Sequence, residues 1–172
     1  MKIKILLLSV LMALNLSAVT VGEVPSSIVI DGENGGMIQD GSAWSSSTVV
    51  DKVYVMFYVD PDEKDTNNEF SATLKEKKYD RANYGSLAVI NLAATWKPNF
   101  VIESILEGKQ EEFPDTIYVK DKKSVLVNEW KVEDDASNIL IFSKRGEVLF
   151  YKSGKMNKED ISNAINVIES NL

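Results

Sequence analysis

The chain of 172 residues contains no cysteine, no histidine and only four prolines. Without cysteine there is no disulfide, no dithiol couple and no thiolate nucleophile. Without histidine there is no Ser-His-Asp triad, and the two absences together remove the usual zinc sites. Positive charge is also short: 19 Lys and Arg stand against 26 Asp and Glu, a formal net charge of -7. Phosphate backbones are held by basic patches, so nucleic acid is not an expected partner. No apolar run reaches the roughly 20 residues that a transmembrane helix needs. What is present is ordinary for a globular protein: 44% hydrophobic residues, 26% charged, and the length of one domain.

Lys2 and Lys4 precede an apolar run from Ile5 to Leu14, and Leu16-Ser17-Ala18 follows. A charged start, a short greasy stretch and a small residue form the pattern of a secretory signal peptide over residues 1–18. Cleavage after Ala18 would remove two lysines and leave 17 basic against 26 acidic residues, a charge of -9, on a single domain of residues 19–172. A periplasmic destination is expected, with no integral membrane segment after cleavage. A retained N-terminal anchor is the alternative. With no disulfide available, the domain must be stable on its core alone.

Val53 to Val59 is an unbroken apolar run rich in β-branched and aromatic residues, which predicts a strand buried on both faces. A helix is predicted from near Thr66 or Asn67, with Phe70 and Leu74 at i, i+4 spacing. Leu87 to Leu92 predicts a second strand. Pro98 suits the first turn of a helix whose apolar side is Phe100, Val101, Ile105 and Leu106, ending at Gly108. Thr116 to Val119 reads as a third strand and Lys122 to Trp130 as a short helix. Asn138 to Phe142 and Glu147 to Tyr151, flanking a turn with Gly146, predict a β-hairpin. Asn157 caps a last helix with Asp160 in its first turn, and Ile161, Ala164, Ile165, Ile168 and Leu172 form its apolar stripe. Upstream, Ile28 to Ile30 reads as a strand, and the glycine- and serine-rich stretch from Gly32 to Ser47 as turns between short strands.

Alternating strands and helices imply a parallel α/β sheet, here closed by an antiparallel hairpin and a helix. That order resembles a thioredoxin-like fold, peroxiredoxin-related, with an extra strand-helix insertion and a mixed central sheet. The resemblance is carried by Phe113-Pro114-Asp115, Asp121, Trp130-Lys131-Val132 and the hairpin from Ile141 to Val148. More closely, the chain is similar to the YtfJ family of bacterial periplasmic proteins. The shared stretches are Val59-Asp60-Pro61-Asp62, Asp65-Thr66-Asn67, Val89-Ile90-Asn91 and Ala94 to Phe100. The resemblance implies a periplasmic thioredoxin-fold protein of poorly defined function, and some members carry a transcriptional-regulator label. An exported chain of this acidity does not suit that role, and a cytoplasmic regulator stands as an alternative only if Met1 to Leu16 is not a signal. Thioredoxin-type enzymes place Cys-x-x-Cys where the first core strand meets its helix. Here that junction is Asp60-Pro61-Asp62-Glu63-Lys64-Asp65, so disulfide exchange and thiol peroxidase chemistry are excluded.

In open α/β sheets ligands gather beyond the carboxyl ends of the parallel strands. Two loops leave such ends. One carries Asp60, Asp62, Glu63, Asp65 and Asn67, and the other Thr95, Trp96, Lys97 and Asn99. Asp134 and Asp135 are expected nearby. The plain expectation is local structure: Asp65, Thr66 or Asn67 caps the helix, Asp60 opens a turn, and the rest is solvated. Beside it stand a peptide or small-ligand site and a calcium-like cation site on Asp60, Asp62 and Asp65. The spacing departs from an EF-hand loop at Lys64, Asp65 and Ser71. Lys97 is expected to pair with Asp60 or Asp62, whose repulsion would otherwise raise one carboxyl pKa. Paired carboxylates also serve glycoside hydrolysis, but no sugar-cleft pattern accompanies them. Trp96 is expected to cover the core edge, with stacking on a ligand as the alternative, and Trp44 and Trp130 are expected in packing. No cofactor is implied. The leading expectation is a non-redox module that binds a periplasmic protein or peptide at the Asp60–Trp96 edge.

Overall fold

A computed structural model describes residues 18–172, so the charged start and apolar run of the expected signal peptide lie outside the described residues. The main sheet has six strands in the order β2-β6-β5-β4-β7-β8. Their ranges are β2 Gly35–Met37, β4 Val53–Val59, β5 Tyr84–Asn91, β6 Thr116–Asp121, β7 Ser137–Phe142 and β8 Val148–Ser153. Strands β4, β5 and β6 run parallel, while β7, β8 and β2 are antiparallel to their neighbours. Two short strands, β1 Val29–Ile30 and β3 Trp44–Ser45, pair separately. The helices are α1 Asn68–Lys77, α2 Asn99–Glu112, α3 Val125–Trp130 and α4 Lys158–Glu169.

The apolar run of β4 sits centrally because both its faces have somewhere to go. Met56 and Tyr58 face one core with Leu87, Val89, Val119, Leu126 and Trp130, roofed by Ile28, Ile30 and Trp44 from the N-terminal region. Val53 and Val55 face the other, where Phe70 of α1 meets Ile161, Ala164, Ile165 and Ile168 of α4. Alternation of side chains along a strand separates these two sets. The last helix follows its prediction closely: Asn157 and Asp160 form a reciprocal capping box, and Ile161, Ala164, Ile165 and Ile168 are buried, while Leu172 lies half-buried beyond the helix end. The hairpin and its Gly146 turn are also as predicted, and Trp44 and Trp130 are both buried.

Three expectations are corrected. The glycine-rich stretch is more than turns, because Gly35-Gly36-Met37 adds an edge strand against β6. Gly35 and Gly36 have φ of 132° and 140°, and a Cβ at Gly35 would lie 1.9 Å from the Lys120 carbonyl oxygen. Glycine makes that approach possible. Helix α2 continues through Gly108 to Glu112. The helical penalty of one glycine, about 1 kcal/mol, is small beside the ladder on both sides of it, and the Phe113 amide still bonds Lys109. The buried side of α2 is Ile102 and Leu106, packed on Leu92, Ile90 and Tyr118. Phe100, Val101 and Ile105, expected in the core, are exposed.

Candidate functional site

The carboxyl ends of β4 and β5 open into two 3-10 turns, Pro61–Glu63 and Leu92–Ala94. Pro61 presets the first turn, and the Asp60 carboxylate accepts the Asp62 amide at 2.9 Å, closing it. Asp60 itself is 4% exposed. Burial pushes its carboxyl above the usual range, and the charges of Asp62, Asp135 and Glu63 push the same way, against the Asp62 amide bond. Asp62 points outward and is met from the second loop: Lys97 forms an ion pair with it, and the Thr95 hydroxyl donates at 3.0 Å. Both bonds hold Asp62 below the usual range. The expected Lys97 pairing is thus with Asp62, and the structure brings Asp62, Thr95 and Lys97 together.

Asp65 stands apart from that trio. It is exposed, paired with Lys64, and accepts from the Asn68 side chain at 3.2 Å, which lowers its pKa. Asn67 occupies the N-cap position of α1 but makes no side-chain cap, contrary to expectation. Its side chain turns inward, donating to the Ser137 hydroxyl at 3.0 Å and the Gly154 carbonyl at 3.1 Å, and accepting the Met156 amide at 2.9 Å. A buried amide with three partners does more by tying α1 to the hairpin than by capping an exposed turn. Among the described residues no group of three or more acidic side chains converges as a metal site. Asp60 and Asp62 are pushed in opposite directions, the one by burial and the other by Lys97 and Thr95, and the Asp60 carboxylate is turned onto the Asp62 amide.

Trp96 is 86% exposed, which corrects the expectation that it covers the core edge. Phe100 at 74%, Ile105 at 55% and Val101 at 39% continue its exposed surface along α2. The reason is positional. The core face of α2 is satisfied by Ile102 and Leu106, and Leu92 fills the strand end below the Trp96 loop. Two surface grooves, of about 410 and 250 Å3, lie around Asn34, Lys123 and Asn128 and around Val24, Trp130 and Arg145, and no residue of the Asp62–Trp96 edge lines them.

A second set of polar residues at the strand ends escaped the sequence reading. Asp121 closes β6 fully buried and accepts from the Lys123 and Leu126 amides and the Tyr58 hydroxyl at 3.1, 3.2 and 3.3 Å. Burial and the Asp121 charge push the Tyr58 hydroxyl pKa up strongly. Asn91 closes β5, donating to Asp134 at 2.9 Å and accepting from Ser124 at 3.0 Å. Asn138 at the start of β7 donates to the Glu133 carbonyl at 2.9 Å and accepts from Tyr151 at 3.1 Å. The one available signal was a polar residue ending each apolar strand run. Asp134 and Asp135 do approach the edge, as expected, through Asn91 and Asp60.

Chemically, the exposed trio presents a carboxylate, a hydroxyl and an ammonium beside an indole. It can accept and donate hydrogen bonds and stack, and it holds no activated nucleophile. Among solved structures, the fold is similar to a Chlorobium tepidum protein described as "a putative Thiol:disulfide interchange protein DsbE". The TM-score is 0.63 at 13% identity, over 89% of this chain and 98% of that one, and the shared architecture is thioredoxin-like. A Haemophilus influenzae relative, described as uncharacterized, is 29% identical over 129 residues, covering 73% of this chain and 70% of its own. The uncharacterized protein YtfJ of Escherichia coli K12 is 21% identical over 132 residues, covering 75% and 72%. With residues 21–171 matching the family described as "Bacterial protein of unknown function (YtfJ_HI0045)", the chain, a thioredoxin-like fold without cysteine, belongs to that family.

Proposed function

We propose that the protein is an exported, non-redox thioredoxin-fold module that binds a polypeptide at the edge formed by Asp62, Thr95, Trp96 and Lys97. The observation that carries the reading is Trp96. A tryptophan left 86% exposed on a loop at the carboxyl ends of parallel strands has no packing role to explain it. Asp62, Thr95 and Lys97 beside it are held in a defined geometry by one another. Tryptophan on a polar frame is the residue type that dominates binding energy at protein interfaces. Export rests on the Lys2, Lys4 and Ile5–Leu14 pattern, and the absence of cysteine removes thiol chemistry from the site.

The test is affinity capture from a periplasmic extract with the wild-type chain, Trp96→Ala and the pair Asp62→Asn with Lys97→Met. Capture should be lost in both variants while their melting is unchanged. Capture retained by both would remove this edge from the account. N-terminal sequencing of the native protein checks the compartment: a start near Val19 is expected, and a retained Met1 would end the claim of a free exported module.

A further inference from the structure

The exposed apolar residues of α2 form an ordered surface. Val101 and Ile105 are one helical turn apart on one line, Phe100 lies beside them, and Trp96 stands on the loop leading into the helix. Seven and eleven positions on from Phe100, along its side of the helix, come Glu107 and Glu111, both exposed. The cations nearest in sequence are already engaged: Lys97 by Asp62, and Lys109 by Glu112 and the Phe113 ring, 5.2 Å from the centroid. Among the described residues Glu107 and Glu111 have no ion-pair partner. The stripe is therefore apolar along its length with two carboxylates free of direct ion pairs at one end, on a chain that carries -7 overall.

We infer that this stripe, from Trp96 through Phe100 and Val101 to Ile105, seats an apolar polypeptide segment flanked by lysine or arginine. The inference rests on the binding reading above and supplies the partner's chemistry. Aromatic and aliphatic side chains of the segment would cover the stripe, and its basic flank would meet Glu107 and Glu111, so that potentials match across the contact. The same charges argue against the other occupants. A second copy would bring from its own stripe only Lys97 and Lys109, both already paired, to meet Glu107 and Glu111, and an anionic bilayer would repel them.

The experiment uses protein expressed from the full chain and three synthetic peptides. They share one core of leucine, phenylalanine and isoleucine and carry Lys, Gln or Glu flanks. Trp44 and Trp130 are 3% and 1% exposed, so acrylamide quenching of tryptophan fluorescence reads Trp96. The Lys-flanked peptide should protect Trp96 and bind roughly tenfold more tightly than the Glu-flanked one, with the difference shrinking as salt screens the rim. Phe100→Ser with Ile105→Ser should abolish protection without moving the melting temperature. Glu107→Gln with Glu111→Gln should erase only the preference for basic flanks. Equal binding of the Lys- and Glu-flanked peptides overturns the proposal. So does protection of Trp96 without peptide in a sedimenting dimer, or protection by phosphatidylglycerol vesicles. If no peptide protects Trp96 while Trp96→Ala still loses capture from the extract, the partner chemistry falls and the edge reading stands. If capture is unaffected as well, both fall.

Discussion

Two polar regions crowd the carboxyl ends of the same strands and differ in what surrounds them. The inner row, Asn67, Asn91, Asp121 and Asn138, is 6% exposed or less, and each member is tied to backbone or side-chain partners from other elements. The outer group, Asp62, Asp65, Thr95 and Lys97, pairs mainly within its own two loops and is open to water. The inner row holds α1, α3 and the hairpin on the sheet, because a buried polar group without partners is expensive. The outer group holds no distant element in place, and its partners are one another. Residue type does not tell these roles apart, since aspartate and asparagine occur in both.

The sharpest way to break the comparison is Asp121→Ala. It leaves the Lys123 and Leu126 amides and the Tyr58 hydroxyl without their acceptor. The expected loss is roughly 3 kcal/mol, read by urea unfolding, with melting lowered by about 10 °C. A variant as stable as the wild type would show that α3 does not need this anchor. Asn67→Ala comes next, at roughly 2 kcal/mol, because the Met156 amide loses its acceptor inside the core edge. Had Asn67 only capped an exposed turn, the loss would be about 1 kcal/mol or less.

Asp60 sits between the two regions and should behave oppositely to both. Its carboxyl is raised in the folded protein by burial, then by neighbouring acids. The folded state therefore holds the proton more tightly than the unfolded chain. Stability is lost as pH rises from the ordinary value of 3.8 through the raised one, and the full penalty applies at neutral pH. Asp60→Asn keeps an oxygen for the Asp62 amide and removes that penalty. It should raise the melting temperature modestly at pH 7, with the advantage gone in acid below the ordinary carboxylate value. A lower melting temperature at pH 7 would place Asp60 with the inner row.

The smallest effect on stability is expected from Asp62→Asn with Lys97→Met. An exposed ion pair contributes little to folding. Asp62 is lowered by Lys97 and Thr95, so its small contribution is present above 3.8 and is lost only as pH falls through the lowered value. A thermal melt at pH 7 should not distinguish the pair from wild type. A large drop in melting would move Asp62 and Lys97 into the structural region.

The β4 run, the α4 stripe with its Asn157 cap and the Gly146 hairpin were legible in sequence because each is a local pattern of apolar period and turn chemistry. The absence of cysteine and histidine settled by itself which chemistries are closed to the protein. A pairing of Lys97 with Asp60 or Asp62 was anticipated, because loops leaving neighbouring parallel strands end side by side, and burial of Asp60 left Asp62 as the partner. The facing of α2 was beyond reach. Its apolar residues fit a core stripe on Phe100, Val101 and Ile105 as well as one on Ile102 and Leu106, and only the position of Leu92, Ile90 and Tyr118 chooses between them. The same holds for Asn67, whose three partners lie 70 to 89 residues away. Local propensity and composition decided which elements form and which reactions cannot occur. Which asparagine is an anchor, which aspartate is buried and which tryptophan faces water were decided by burial against distant segments, a property no single stretch of the chain contains.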